Sequence, residues 1–205
     1  MKLFLASSLD KTISFLAPHL AEKAKVIFIA NASDMYKEAW WVDNDREGFK
    51  KLGLEIIESD LRDTSKEDLE KHLAEAQLIH ICGGSVFYLL SVLRKNNLDQ
   101  LITNDVKSGK IMYSGTSAGS IVASGSTEIY KYHDEEAEHT HLLENNFAGL
   151  NLLDFVIIPH FNQEEAPKEY EKLIAHIPQF PSPIILLHDN QTVWVEDGNV
   201  RILSV

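Results

Sequence analysis

The chain has 205 residues, a formal net charge of −12 and one cysteine, a length that suits one well-buried domain spanning 1–205. The negative surplus repels phosphate backbones and anionic bilayers, so neither nucleic acid nor a membrane surface is an expected partner, and the lone Cys82 excludes an internal disulfide. No apolar stretch approaches the roughly 20 residues that cross a bilayer; the opening run Met1–Ala6 reads as a first strand, too short for a secretory signal, and a cytoplasmic location is the expectation.

In chain order, short apolar runs alternate with longer amphipathic ones. Strands are expected at Lys2–Ala6, Lys25–Ala30, Leu54–Glu58, Leu78–Cys82, Lys110–Ser114, Phe155–Ile158 and Ile184–Leu187. Helical patterns fall around 10–23, 34–52, 65–75, 85–95, 97–108 and 164–176. A closing pair, Thr192–Glu196 and Val200–Ser204, flanks Asp197-Gly198-Asn199, a hairpin signal. Runs such as Val26-Ile27-Phe28-Ile29 are apolar almost throughout, as strands covered on both faces must be. The expected fold is α/β: a three-layer, doubly wound, mostly parallel sheet with a C-terminal antiparallel hairpin. In open sheets of this kind the site lies beyond the carboxyl ends of the strands. The residues just after strands are therefore the candidates: Asn31 to Ser33, Gly83 to Val86, Ser117, His160 and His188-Asp189.

The most informative stretch is Gly115-Thr116-Ser117-Ala118-Gly119-Ser120, which follows the apolar Ile111-Met112-Tyr113. Gly-x-Ser-x-Gly at a strand-to-helix junction is the layout of a nucleophile elbow. A sharp turn lifts the serine hydroxyl outward and aims the following backbone N–H groups at the same point. The same pattern also describes a plain Gly/Ser-rich turn. A nucleophilic serine needs a base and the base an orienting carboxylate. His160, directly after a buried-looking strand, is the leading base, with His188 the runner-up; Asp189 is the leading acid. A second turn, Cys82-Gly83-Gly84-Ser85-Val86, lets another backbone approach closely and can present an N–H to an anion. It lacks any nucleotide-binding fingerprint. Cys82, at a strand end, reads as a small buried residue. The segment 130–141 is dense in His, Asp and Glu without a standard zinc spacing, and reads as a solvated loop near the site. Tyr36, Trp40 and Trp41 are candidates to line a pocket.

Four segments together resemble the peptidase E family of serine peptidases, which comprises the α-aspartyl dipeptidases and, more distantly, cyanophycinase. They are Ile29-Ala30-Asn31-Ala32-Ser33, Cys82-Gly83-Gly84-Ser85-Val86-Phe87-Tyr88-Leu89-Leu90, Gly115 to Ser120, and Ile158-Pro159-His160-Phe161-Asn162. The resemblance runs from about residue 25 to the C-terminus. It implies a flavodoxin-like or class I glutamine-amidotransferase-like fold, Ser117 as nucleophile and His160 as base. It places the third member at Asp189, where the family has used a glutamate, and the oxyanion donors at the Gly84 and Ala118 N–H groups. The order Ser, His, acid differs from that of the α/β-hydrolases. The family often has Gly-Gly-Gly-Asn-Thr where this chain has Cys82-Gly83-Gly84-Ser85-Val86. The implied activity is hydrolysis of short peptides, dipeptides beginning with Asp foremost, with no metal or organic cofactor. An Asp side chain calls for a cation in the pocket; Lys131 and Lys168 lie in segments near the site, and an Arg is equally open. A non-catalytic small-molecule-binding domain and an esterase or amidase are the competing readings.

Overall fold

The computed structural model describes residues 1–95, 97–162 and 170–205. Its main sheet has seven strands in the order β3-β2-β4-β5-β1-β8-β9: β1 Lys2–Ala6, β2 Lys25–Ile29, β3 Glu55–Glu58, β4 Leu78–Ile81, β5 Met112–Thr116, β8 Gln191–Glu196 and β9 Asn199–Ser204. The first five are mutually parallel; β8 runs antiparallel to β1 and β9 antiparallel to β8. The β8–β9 loop is Asp197-Gly198, both at positive φ, the two-residue turn whose twist matches its strands.

Alternate side chains leave the sheet on opposite faces, and the core divides accordingly. Phe4, Val26 and Phe28 pack with Leu9, Leu16 and Phe49, from α1 (Leu9–Leu16) and α2 (Trp40–Lys51). Leu3, Leu5, Ile27 and Ile29 pack on the other face with Leu69, Leu90 and Ile102, from α3 (Lys66–Glu75), α4 (Val86–Lys95) and α5 (Leu98–Lys107). The expected three layers are thus present. Two helices are shorter than their patterns. The 10–23 pattern ends as α1 followed by a 3-10 turn holding Pro18, and the 34–52 pattern yields helix only from Trp40. The expectation over 164–176 lies partly outside the described residues; its described part is α8, Glu171–His176.

One strand pairing differs from expectation. β6 (Val156–Ile158) and β7 (Ile184–Leu186) pair in parallel with each other, as a separate two-stranded sheet. The β8–β9 hairpin occupies the place beside β1, so these strands pack instead on the α3–α5 face, where Val156, Ile157 and Ile158 join that core. Between β5 and β6 lie two short helices, α6 (Ala118–Ile121) and α7 (Asp134–Ala137). Among the described residues no helix is long and apolar enough to cross a membrane.

Candidate active site

The elbow residue Ser117 follows β5 directly and takes φ +47°, ψ −111°, a conformation that costs a non-glycine residue about 1–3 kcal/mol and persists only where its surroundings impose it. Those surroundings are visible. Ser117 N–H donates to the Ala6 carbonyl at 3.1 Å, the Tyr113 hydroxyl to the Gly119 carbonyl at 2.6 Å, and the Ser120 hydroxyl lies 2.8 Å from both the Ala6 and Gly115 carbonyls. A Cβ on Gly119 would strike the Ile81 carbonyl, and one on Gly115 would strike the Gly119 backbone, so both flanking glycines are needed for the strand and helix to approach this closely.

His160, two residues beyond β6, also lies at positive φ, +99°. Its Nδ1 stands 2.7 Å from Asp189 Oδ1. Asn162 Nδ2 donates to the other carboxylate oxygen at 3.0 Å. The Ser7 hydroxyl donates to Asp189 Oδ1 at 3.0 Å and lies 3.1 Å from His160 Nδ1. The His160 hydrogen bond above all, with help from Asn162 and Ser7 and against the cost of burial, holds the Asp189 carboxyl well below the usual carboxylate range. Tyr130 and Tyr170 brace this arm, donating to the Ile157 carbonyl at 2.7 Å and the Pro159 carbonyl at 2.8 Å.

The glycine turn after β4 lies against the elbow: a Cβ on Gly83 would stand 3.0 Å from Ser117 Cβ and 3.6 Å from its Oγ. Gly84 has φ +142°, and a Cβ there would collide with the Ala32 carbonyl. That carbonyl accepts the Ser85 N–H at 2.8 Å. Among the described residues, neither the Gly84 N–H nor the Ala118 N–H finds an acceptor. Ser117, His160 and Gly84 line one cavity of about 240 Å³; Asp189 stands behind His160.

The sequence model of peptidase family S51 matches residues 3–203. The chain belongs to peptidase family S51. An uncharacterized peptidase of Pasteurella multocida is 33% identical over 177 residues, covering 84% of this chain and 83% of the relative. Peptidase E of Shewanella oneidensis is 29% identical over 203 residues, covering 96% and 81%. The crystal structure of a peptidase E candidate from Listeria monocytogenes superposes with a TM-score of 0.88 at 24% identity, over 100% of this chain and 98% of that one, a likeness of fold. This S51 member is therefore a peptidase, a hydrolase, on an α/β fold shared with that neighbour.

The rest of the S51 cavity is aromatic and acidic. Tyr36, Trp40 and Trp41 line it, as do Asp45, Glu135 and Glu136; no Lys or Arg does so among the described residues. Lys131 turns away, 2.8 Å from Glu128, and Lys168 lies outside the described residues. His188 does not line the cavity, and the Cys82 thiol is buried, with burial pushing it up. Part of 130–141 departs from the expected solvated loop: His133 and Glu136 are buried. Glu136 accepts from Val86 N at 2.7 Å, Phe87 N at 3.0 Å and Ser85 Oγ at 3.2 Å, so it caps the N-terminus of α4. Desolvation pushes its carboxyl up against those hydrogen bonds. Asp45, His80 and Cys82 bring their donor atoms within 4.8 Å of one another, yet both His80 nitrogens already face partners, Ser114 Oγ at 2.9 Å and Asp45 Oδ2 at 3.1 Å. Sequence reasoning gave no role to Ser7, Asn162, Asp45 or Glu136. Asn162 stood within the Ile158–Asn162 segment and Glu136 within 130–141, while Ser7 carried a positional signal, since it follows β1 at the productive edge of the sheet.

Proposed function

We propose that this S51 member is a serine peptidase of short peptides, with Ser117 as nucleophile, His160 as general base and Asp189 as its orienting acid. The observation that carries this reading is His160, backed by Asp189, lining the same cavity as a serine held at φ +47°. Ser117 Oγ attacks the scissile carbonyl carbon while its proton passes to the free nitrogen of His160. The imidazolium, held by Asp189, then protonates the departing amine. Water repeats the sequence on the acyl-enzyme, giving up a proton to His160 and releasing the carboxylate and Ser117. The Gly84 and Ala118 N–H groups hold the oxyanion in both halves.

The cavity admits a dipeptide-sized ligand, and Glu135, at its lining, suits the free ammonium end. A first-position Asp is the family's implication and requires a cation, which no described residue lining the cavity supplies; Lys131 is paired with Glu128, and Lys168 is the other lysine the sequence offers for test. Release of free amino acid from Asp-Leu, Leu-Leu and Lys-Leu, by wild type, Ser117→Ala and Lys168→Ala, tests each part. Activity lost in Ser117→Ala supports the nucleophile, and retained activity removes it. Asp-Leu cleavage lost selectively in Lys168→Ala supports the Asp reading; equal rates on the three peptides in wild type remove it.

A further inference from the structure

Trp41 Nε1 donates to the Gly83 carbonyl at 3.0 Å. That carbonyl belongs to the same peptide unit as the Gly84 N–H. The chain holds no cis peptide among its described bonds, and in a planar trans peptide the C=O and N–H point in opposite directions. Fixing the carbonyl toward Trp41 therefore fixes the Gly84 N–H on the side away from it. Two adjacent glycines would otherwise let this unit rotate at little steric cost. The rotated form would turn a carbonyl dipole, in place of a donor, toward the developing negative charge.

From this geometry we propose that Trp41 is a positioning residue for the oxyanion hole: its indole N–H locks the Gly83–Gly84 peptide with the Gly84 N–H directed at the reaction centre. The inference rests on the serine-peptidase reading above. The lock has two further attachments. Cys82 N–H is tied to the Ile29 carbonyl before the glycines and Ser85 N–H to the Ala32 carbonyl after them, so the glycine turn is strung between two anchored ends. Trp41 itself is held by edge-to-face contacts with Tyr36, at 5.3 Å between centroids, and Trp40, at 5.9 Å. One turn further along α2, Asp45 accepts from Thr116 Oγ1 at 2.7 Å, so the same helix grips both the glycine turn and the residue preceding the nucleophile.

The test replaces the indole at position 41 by Phe and, separately, by benzothienylalanine, which keeps the bicyclic shape and lacks the N–H. Three quantities are read: kcat and KM on the best peptide, the affinity of the matching peptide aldehyde, whose Ser117 adduct carries an oxyanion, and the rate of Ser117 labelling by a fluorophosphonate. Trp41→Phe and the benzothienyl variant are both expected to lower kcat roughly tenfold, the size of one lost hydrogen bond. KM should change little, and aldehyde affinity and labelling rate should fall in proportion to kcat. A benzothienyl variant with wild-type kcat and aldehyde affinity overturns the proposal, whatever Trp41→Phe does to folding. Wild-type protein that neither cleaves peptides nor labels at Ser117 overturns the peptidase reading and this inference with it; active, labelled wild type with indifferent variants overturns the inference alone.

Discussion

His160 Nδ1 stands 2.7 Å from Asp189 Oδ1, and the two residues emerge side by side because the strands before them, β6 and β7, pair in register, Ile158 opposite Leu186. The backbone continues the pairing past the strand ends: His160 N–H and Phe161 N–H both lie within 3.3 Å of the Leu187 carbonyl. The proposed base and acid thus come from the small sheet and Ser117 from the large one. Ser7, at the end of β1, joins them, with its hydroxyl against both His160 and Asp189.

Asp189→Asn tests that arrangement. An amide can offer its NH2 where the carboxylate accepted, which favours the wrong imidazole tautomer, so kcat should fall by about 10⁴-fold, the size found for such a change in a serine-protease triad. A loss below tenfold would move the acid elsewhere. Stability gives an independent readout. The Asp189 carboxyl is depressed in the folded state, so its stabilisation is present above the unfolded carboxylate value near ~4 and is lost as pH falls through the lower folded value. The gap in unfolding free energy between wild type and Asp189→Asn should therefore be full at neutral pH and shrink below about pH 4. Urea unfolding from pH 7 down to pH 3 reads it.

Glu136→Ala should destabilise the chain although it lies in no regular core strand. The change strips the Val86 and Phe87 N–H groups and the Ser85 hydroxyl of their buried acceptor. At about 1–3 kcal/mol for each group left unpaired, with some relief from entering water, the loss should be about 2–4 kcal/mol. A chain of this size then melts roughly 5–15 °C lower. Because α4 starts immediately after the glycine turn, activity at low temperature should fall as well. Calorimetry showing a shift under about 2 °C would mean that the α4 N-terminus is capped by other means.

Much of this architecture was legible in the residues. Leu3 and Phe4, or Val26 and Ile27, are apolar neighbours because each strand is covered on both faces, and the Asp197-Gly198 turn and the Gly115–Gly119 elbow carry local chemistry that needs no distant partner. What stayed hidden depends on long-range pairing. Val156-Ile157-Ile158 and Ile184-Ile185-Leu186 read like main-sheet strands, yet β8 takes the place beside β1 and these two pair with each other in a sheet of their own. Glu136 reads as one more charge in an acidic loop until the fold brings it to a helix end 50 residues earlier in the chain. Nothing local in Trp41 announces a bond to Gly83, 42 residues on.

Asp45 couples these distant parts, and its removal should show it. Its Oδ2 holds Thr116 Oγ1 at 2.7 Å and His80 Nε2 at 3.1 Å in a buried setting. Asp45→Ala leaves both without that acceptor, a loss of about 2–4 kcal/mol that should lower kcat more than it raises KM, since Thr116 precedes the proposed nucleophile and α2 also carries Trp41. The coupling is measurable with the double variant Asp45→Ala/Trp41→Phe. If α2 holds the elbow and the glycine turn as one unit, the second substitution finds the helix already loosened, and the double variant loses clearly less kcat than the product of the two single effects. Losses that multiply would show two independent anchors, with Trp41 acting on the Gly83 carbonyl whether or not Asp45 holds the helix down.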